Sequence, residues 1–175
     1  MKIALLCPGP SLPDWWNDSM MRDYGRVIAV NRAAHLFKCH WFAFSDWEVI
    51  RGTNRKPKIG YVCKDGMQPE DESRRWRNIY TAMRARDVAP EYDPKAQDCS
   101  YTMPNALAWA LVWSGSKGDV HIYGMDCSAD LDVAGGEGDH SAKRWVEERQ
   151  WLGLIWCDRI RVYGDADFAY PWKSD

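Results

Sequence analysis

The chain has little excess of charge of either sign, no long apolar run and no closely spaced cysteines. Each absence removes a class of protein. Its 23 Lys and Arg against 25 Asp and Glu leave a formal net charge of −2, which argues against strong nonspecific attraction to nucleic acid. No apolar stretch approaches membrane-spanning length, and Met1-Lys2 leads straight into a strand-like run. Neither a spanning helix nor a signal peptide is therefore expected. The six cysteines (Cys7, Cys39, Cys63, Cys99, Cys127 and Cys157) contain no CxxC pair. Thiols in a reducing, cytoplasmic setting are expected rather than a zinc site or a disulfide framework. HExxH, GxSxG and Walker patterns are missing too, which counts against zincin, α/β-hydrolase and P-loop readings. There is no internal repeat and no low-complexity tract.

What is present is an alternation of strands and helices over 175 residues, a length that suits one domain. Short apolar runs bounded by turn residues predict strands at 2–7, 26–31, 40–45, 58–63, 119–123 and 160–163. Helices are expected from about 12, over 104–113 with Pro104 in the first turn, and over 141–156. This order predicts a three-layer, Rossmann-like α/β domain over 1–175, with a mostly parallel sheet, helices on both faces, and ligands at the C-terminal ends of the strands. The polar, proline-containing segment 64–100 reads as a lid or insertion with one helical piece around 70–86. Within it, residues 72–86 (ESRRWRNIYTAMRAR) interleave arginines with Trp76 and Tyr80. That pattern suits either a solvated helix face or a local nucleic-acid contact. Eleven tryptophans supply packing area, and their excess also suits stacking on flat rings or sugars.

The strands end in residues able to make directional contacts. The first runs into Pro8-Gly9-Pro10-Ser11, where neither proline can donate to a ladder and Gly9 permits angles other residues resist. Asn31-Arg32 ends the second, Ser45-Asp46 the third, and Gly124-Met125-Asp126 follows the strand at 119–123. Each alone reads more readily as a turn-former or a helix cap. Together, on one edge of a parallel sheet, they read as a binding cleft. Asp139-His140-Ser141 follows a Gly-rich loop at 134–139 and stands at the mouth of a helix. His140 there is either a capping or surface residue or a general base. His35, His40 and His121 fall in or beside core elements and read as structural.

Gly9-Pro10-Ser11-Leu12 after the first strand resembles the opening of two related groups: the bacterial sialyltransferases that use CMP-sialic acid, and the 6-hydroxymethylpterin diphosphokinase-like proteins. Asn31-Arg32 stands where the sialyltransferases have Asn-Gln. Ser100-Tyr101-Thr102, the Ala-rich helix at 106–110 and Gly124-Met125-Asp126 follow the order of their Thr-Ser helix and Gly-Ile-Asp strand end. Asp139-His140-Ser141 is similar to their Gly-His-Ser, whose histidine is the base. The diphosphokinase-like group shares the Gly-Pro-Ser-Leu turn, an Asp like Asp46 after the third strand, and a later Gly-x-Asp.

The resemblance implies a nucleotide-dependent transferase, most like a small glycosyltransferase, moving a sugar from a nucleotide-sugar donor to a hydroxyl on a small-molecule or glycan acceptor. Gly9, Pro10, Ser11, Asn31 and Arg32 would hold the nucleotide's phosphate and sugar. Ser100, Thr102 and Gly124 would line the donor site. Asp126 would meet the base or ribose and stands with His140 as a catalytic candidate. The alternative is a diphosphokinase using ATP, with Mg²⁺ between Asp46 and Asp126. A non-catalytic nucleotide-binding protein is the third reading.

Overall fold

The strand sequences IALL, RVIAV and WFAF are apolar without alternation, as strands covered on both faces must be. The computed structural model describes residues 1–44, 46–63, 79–81, 102–126 and 142–164. Its strands are β1 (Ile3–Leu6), β2 (Arg26–Val30), β3 (Trp41–Phe44), β4 (Gly60–Cys63), β5 (Ile79–Thr81), β6 (Val120–Tyr123) and β7 (Ile160–Tyr163). They form one seven-stranded sheet of order β5-β4-β3-β2-β1-β6-β7, and every pairing is parallel. The expected α/β, Rossmann-like architecture is therefore the one observed.

Helices lie on both faces. Three short ones, α1 (Leu12–Trp15), α2 (Ala33–Leu36) and α3 (Trp47–Arg51), follow the first three strands, with a 3₁₀ turn over Asp18–Asp23 after α1. They enclose a core that includes Ala4, Leu6, Leu12, Val27, Ala33 and Ile50. The other face carries the two long helices, α4 (Thr102–Ser114) and α5 (Ala142–Ile155), packed on Ile3, Leu5, Ile28, Val30 and Ile122. Ten of the thirteen positions of α4 are buried, the mark of a helix enclosed over most of its circumference, with Val112 left exposed. Trp109 and Trp113 of α4 close over Trp41 of β3, with ring centroids 5.4 and 4.8 Å away. These rings do the packing expected of the tryptophans. No helix among the described residues is long and apolar enough to cross a membrane.

The end of α4 lacks a basic residue of its own. Arg159 supplies one from the loop before β7, donating through Nη1 to the Gly115 carbonyl at 2.5 Å and the Gly118 carbonyl at 3.0 Å. The Met1 ammonium donates to the Ser114 carbonyl at 2.7 Å. The C-terminus of α4 is thus fixed at the N-terminal edge of the sheet, so its N-terminus lies at the C-terminal edge, beside the strand ends.

One expected element is different. The helical piece around 70–86 is overturned at Ile79–Thr81, which form β5 in parallel register with β4 through Tyr61↔Ile79 and Cys63↔Thr81. An edge strand there covers backbone groups that β4 would otherwise leave open. The rest of 64–100, and so the lid reading and the arginine-rich contact, lies outside the described residues.

Candidate functional site

β1 sits where the chain changes direction across the sheet. The crossover from β1 leads to β2 on one side, while the later one, through α4, delivers β6 to the other. A crevice at the C-terminal ends of such strands is where open α/β sheets hold ligands. Here its walls are the turn after β1 and the turn after β6. The ladder continues past the strands, with Cys7 N–H donating to the Tyr123 carbonyl at 2.8 Å and Gly9 N–H to the Gly124 carbonyl at 2.9 Å.

Ser11 and Asp126 close this crevice. Asp126 accepts from the Ser11 backbone N–H at 2.8 Å and from the Ser11 hydroxyl at 2.5 Å, and both residues are 5% exposed. Although Ser11 precedes α1 and Pro13 occupies that helix's first turn as expected, the Ser11 side chain does not cap the helix. It serves Asp126 instead. Gly164, just after β7, brings a third strand end to the pair. A Cβ on it would stand 3.1 Å from Asp126 Oδ1 and 3.3 Å from Ser11 Oγ. Gly164 is a site residue not anticipated from the sequence, although Tyr163-Gly164 ends a strand as Tyr123-Gly124 does.

Two expectations about the turn are corrected. Gly9 does not have positive φ; among the described glycines that conformation belongs to Gly115 and Gly124. Gly9 is required by space, since a Cβ there would lie 2.3 Å from both Asp126 Oδ2 and the Gly124 carbonyl. Nor does the turn offer a cradle of amides to a phosphate. Gly9 N–H goes to Gly124, Ser11 N–H to Asp126 and Leu12 N–H to the Gly9 carbonyl, and Pro10 has none. The anion seat of the turn holds the protein's own carboxylate.

Asn31 ends β2 on the same edge. It is the one non-glycine with positive φ among the described residues, at 48°, a conformation Asn tolerates better than most. Its backbone is committed: N–H donates to the Ala43 carbonyl at 2.8 Å, and its carbonyl accepts from Ala34 at 3.2 Å. Its side-chain Oδ1 is buried with no hydrogen-bond partner. Arg32 is half-buried at the start of α2 without a side-chain cap bond. Asp46 is exposed at the start of α3, also without one. Thr102 opens α4 and is 8% exposed, at the end of that helix where the dipole is positive.

The structure thus brings Gly9, Ser11, Gly124 and Asp126 into one tight constellation, with Pro10 exposed at its rim. Asn31, Arg32, Asp46 and Thr102 occupy neighbouring positions along the same edge. Ser45, Ser100 and His140 lie outside the described residues. Among those described, no group of three or more His, Cys, Asp or Glu stands together as metal ligands would. Cys7 and Cys39 are buried, and burial pushes the Cys39 thiol up to about 12, far from a reactive thiolate. Set against known protein-family models, curated proteins and solved structures, the chain matches none.

Proposed function

We propose that the protein is a nucleotide-dependent transferase, most like a small glycosyltransferase, which moves a sugar from a nucleotide donor to a hydroxyl acceptor at the C-terminal edge of β1, β2 and β6. The observation that carries this reading is Asn31 Oδ1. A buried acceptor left without a donor costs about 1–3 kcal/mol, and such a group in a native fold calls for a partner from outside the chain. It sits beside the switch point of the sheet. A ribose hydroxyl or an exocyclic amine is the donor it suits. Thr102, at the positive end of α4, is the group best set to meet the donor's phosphates.

Asp126 takes a positioning role in this reading. Its carboxylate locks the Gly9–Ser11 turn and so sets the shape of the crevice floor. The acceptor's proton falls to His140, on the strength of the sialyltransferase resemblance. The diphosphokinase alternative asks Asp126 to share Mg²⁺ with Asp46. A carboxylate already accepting an N–H and a hydroxyl is less suited to that task, and this favours the glycosyltransferase reading.

The test is a thermal-shift screen of CMP-, UDP- and GDP-sugars and ATP, with and without Mg²⁺, followed by chromatography for donor consumption. A shift with one nucleotide sugar, lost in Asn31→Gly, together with turnover, is the expected result. No shift with any nucleotide would overturn the binding site, and a shift without turnover would overturn the transferase. Turnover of ATP that EDTA abolishes would install the diphosphokinase instead.

A further inference from the structure

The residues that face outward from β6 and β7 build a second site, separate from the strand-end crevice. In-register pairing sets His121 beside Ala4, Tyr123 beside Leu6, and Tyr163 beside Tyr123, so all three side chains stand on the face that carries α1. The short helices cover β1 to β4 there. Beyond them lies an open cavity of about 330 Å³, lined by Trp15, Tyr24, Tyr123, Tyr163, His121, Lys2 and Asp23 among others. That volume is at the small end of ligand sites.

Its walls brace one another. Tyr123 and Tyr163 stack with centroids 4.8 Å apart and planes 13° from parallel. The Tyr24 hydroxyl bonds the Tyr123 hydroxyl and lies 3.2 Å from His121 Nδ1. Lys2 Nζ sits 4.5 Å above the Tyr24 ring. Against this fixed wall stands Trp15, 41% exposed on the first helix, its ring 6.4 Å from Tyr163 and tilted by 44°. Tyr and Trp held in this way offer large contact area with little rotamer entropy left to lose.

Three features select the ligand. The tilt between Trp15 and Tyr163 leaves no parallel slot that would clamp a flat base on both faces, whereas a puckered ring can rest its C–H face on one wall and direct its edge past the other. The lining contains one cation, Lys2, and one anion, Asp23, so no net charge draws a phosphate or a carboxylate. The polar groups are a carboxylate, an ammonium, an imidazole and the tyrosine hydroxyls, the mixed donors and acceptors that a sugar's hydroxyls need. Burial, with Lys2 and Arg161 acting against Asp119, lowers the His121 pKa, which favours the neutral ring.

We propose that this cavity binds the ring of a neutral aldohexopyranoside, its C–H face stacked on Trp15 and its edge against Tyr163, with its hydroxyls turned to His121, Lys2 and Asp23. The site does not depend on the crevice taking a nucleotide. Under the transferase reading it would be a hold for a glycan acceptor, because Trp15 lies four residues beyond Ser11 and Tyr163 adjoins Gly164.

Saturation-transfer NMR on the full chain tests it, with the methyl glycosides of glucose, galactose and mannose as probes and adenosine as the flat comparator. Transfer to the ring C–H protons of at least one glycoside is expected. Affinity should fall about tenfold in Trp15→Ala and in Tyr163→Ala, the loss that one aromatic contact represents. Trp15→Phe should retain most of the binding, and Asn31→Gly should leave it unchanged. Unchanged thermal midpoints in Trp15→Ala would assign the loss to the missing ring. No transfer to any of the three glycosides would overturn the site. So would equal transfer in both alanine variants, or binding of adenosine where the glycosides fail.

Discussion

Asp126 accepts from both the backbone N–H and the hydroxyl of Ser11, a residue 115 positions earlier in the chain. This joins the turn after the first strand to the turn after the sixth. Both residues are buried, so each bond forms away from competing water and one partner is charged. Neither group can be removed alone without stranding the other.

The two should therefore couple. In a double-mutant cycle of Ser11→Ala and Asp126→Asn, followed by urea unfolding, each single change is expected to cost about 2 kcal/mol. The double variant should cost less than their sum by about 1 kcal/mol. Additive losses would mean that the bond does not hold the two turns together.

Gly9 gives a second, sharper expectation. A Cβ at Gly9 meets the braced Asp126 carboxylate and the Gly124 carbonyl at 2.3 Å, while one at Gly115 meets nothing within 4 Å although φ there is +74°. Gly115→Ala should cost about 1 kcal/mol from backbone strain alone. Gly9→Ala should cost about 2 kcal/mol or more, because backbone and carboxylate must both shift, so it cannot be a clean probe of binding. Equal unfolding midpoints for the two variants would contradict the close packing at Gly9.

Much of this fold is legible in the sequence because strands buried on both faces must be apolar throughout. The expected 160–163 run is β7 to the residue, and the runs for β1, β2, β3 and β6 overshoot their strands by one or two turn residues. β5 is not legible. Three residues of edge strand inside an arginine-rich stretch carry no period of their own, and only the open side of β4 makes them a strand. At the site, the strand-end positions could be read, but hydrogen-bond partners could not. Gly9-Pro10-Ser11 looks like a phosphate loop until Asp126 is found in the seat. From the sequence His121 reads as structural, yet the pleat carries it and Tyr123 onto the face of the cavity.

Asn31 separates ligand binding from stability. At φ of 48° a glycine relaxes the backbone, while an alanine keeps the strain and loses the amide. Asn31→Gly should leave the thermal midpoint within a degree or two of the parent's, since one lost side chain is offset by one relieved conformation. Asn31→Ala should cost about 1 kcal/mol. Both should lose the nucleotide-induced shift. A nucleotide shift of parental size in Asn31→Gly would place the ligand elsewhere on the sheet.

The last expectation concerns acid. His40 accepts the Val27 N–H through Nδ1 at 2.9 Å, which ties the start of β2 to the start of β3 and places any ring proton on Nε2. Burial, then Lys58 and Arg26, lower its pKa; burial, then Lys2 and Arg161 against Asp119, do the same for His121. In the unfolded chain both histidines titrate at about 6.5. Below that pH the unfolded state binds protons that the folded state refuses, so the unfolded state is favoured. The contribution of both rings is whole above about 6.5 and is lost as pH falls from there toward their folded values. Urea midpoints should hold between pH 8 and 7 and decline between 6.5 and 5.5, before the carboxylates titrate. His40→Asn should reduce that decline even though it lowers stability at pH 8, because the slope reports the proton and the intercept reports the lost bond. A slope that is the same with and without His40 would mean that its ring protonates as freely in the fold as in the open chain, and the bond from Val27 would then have no hold on it.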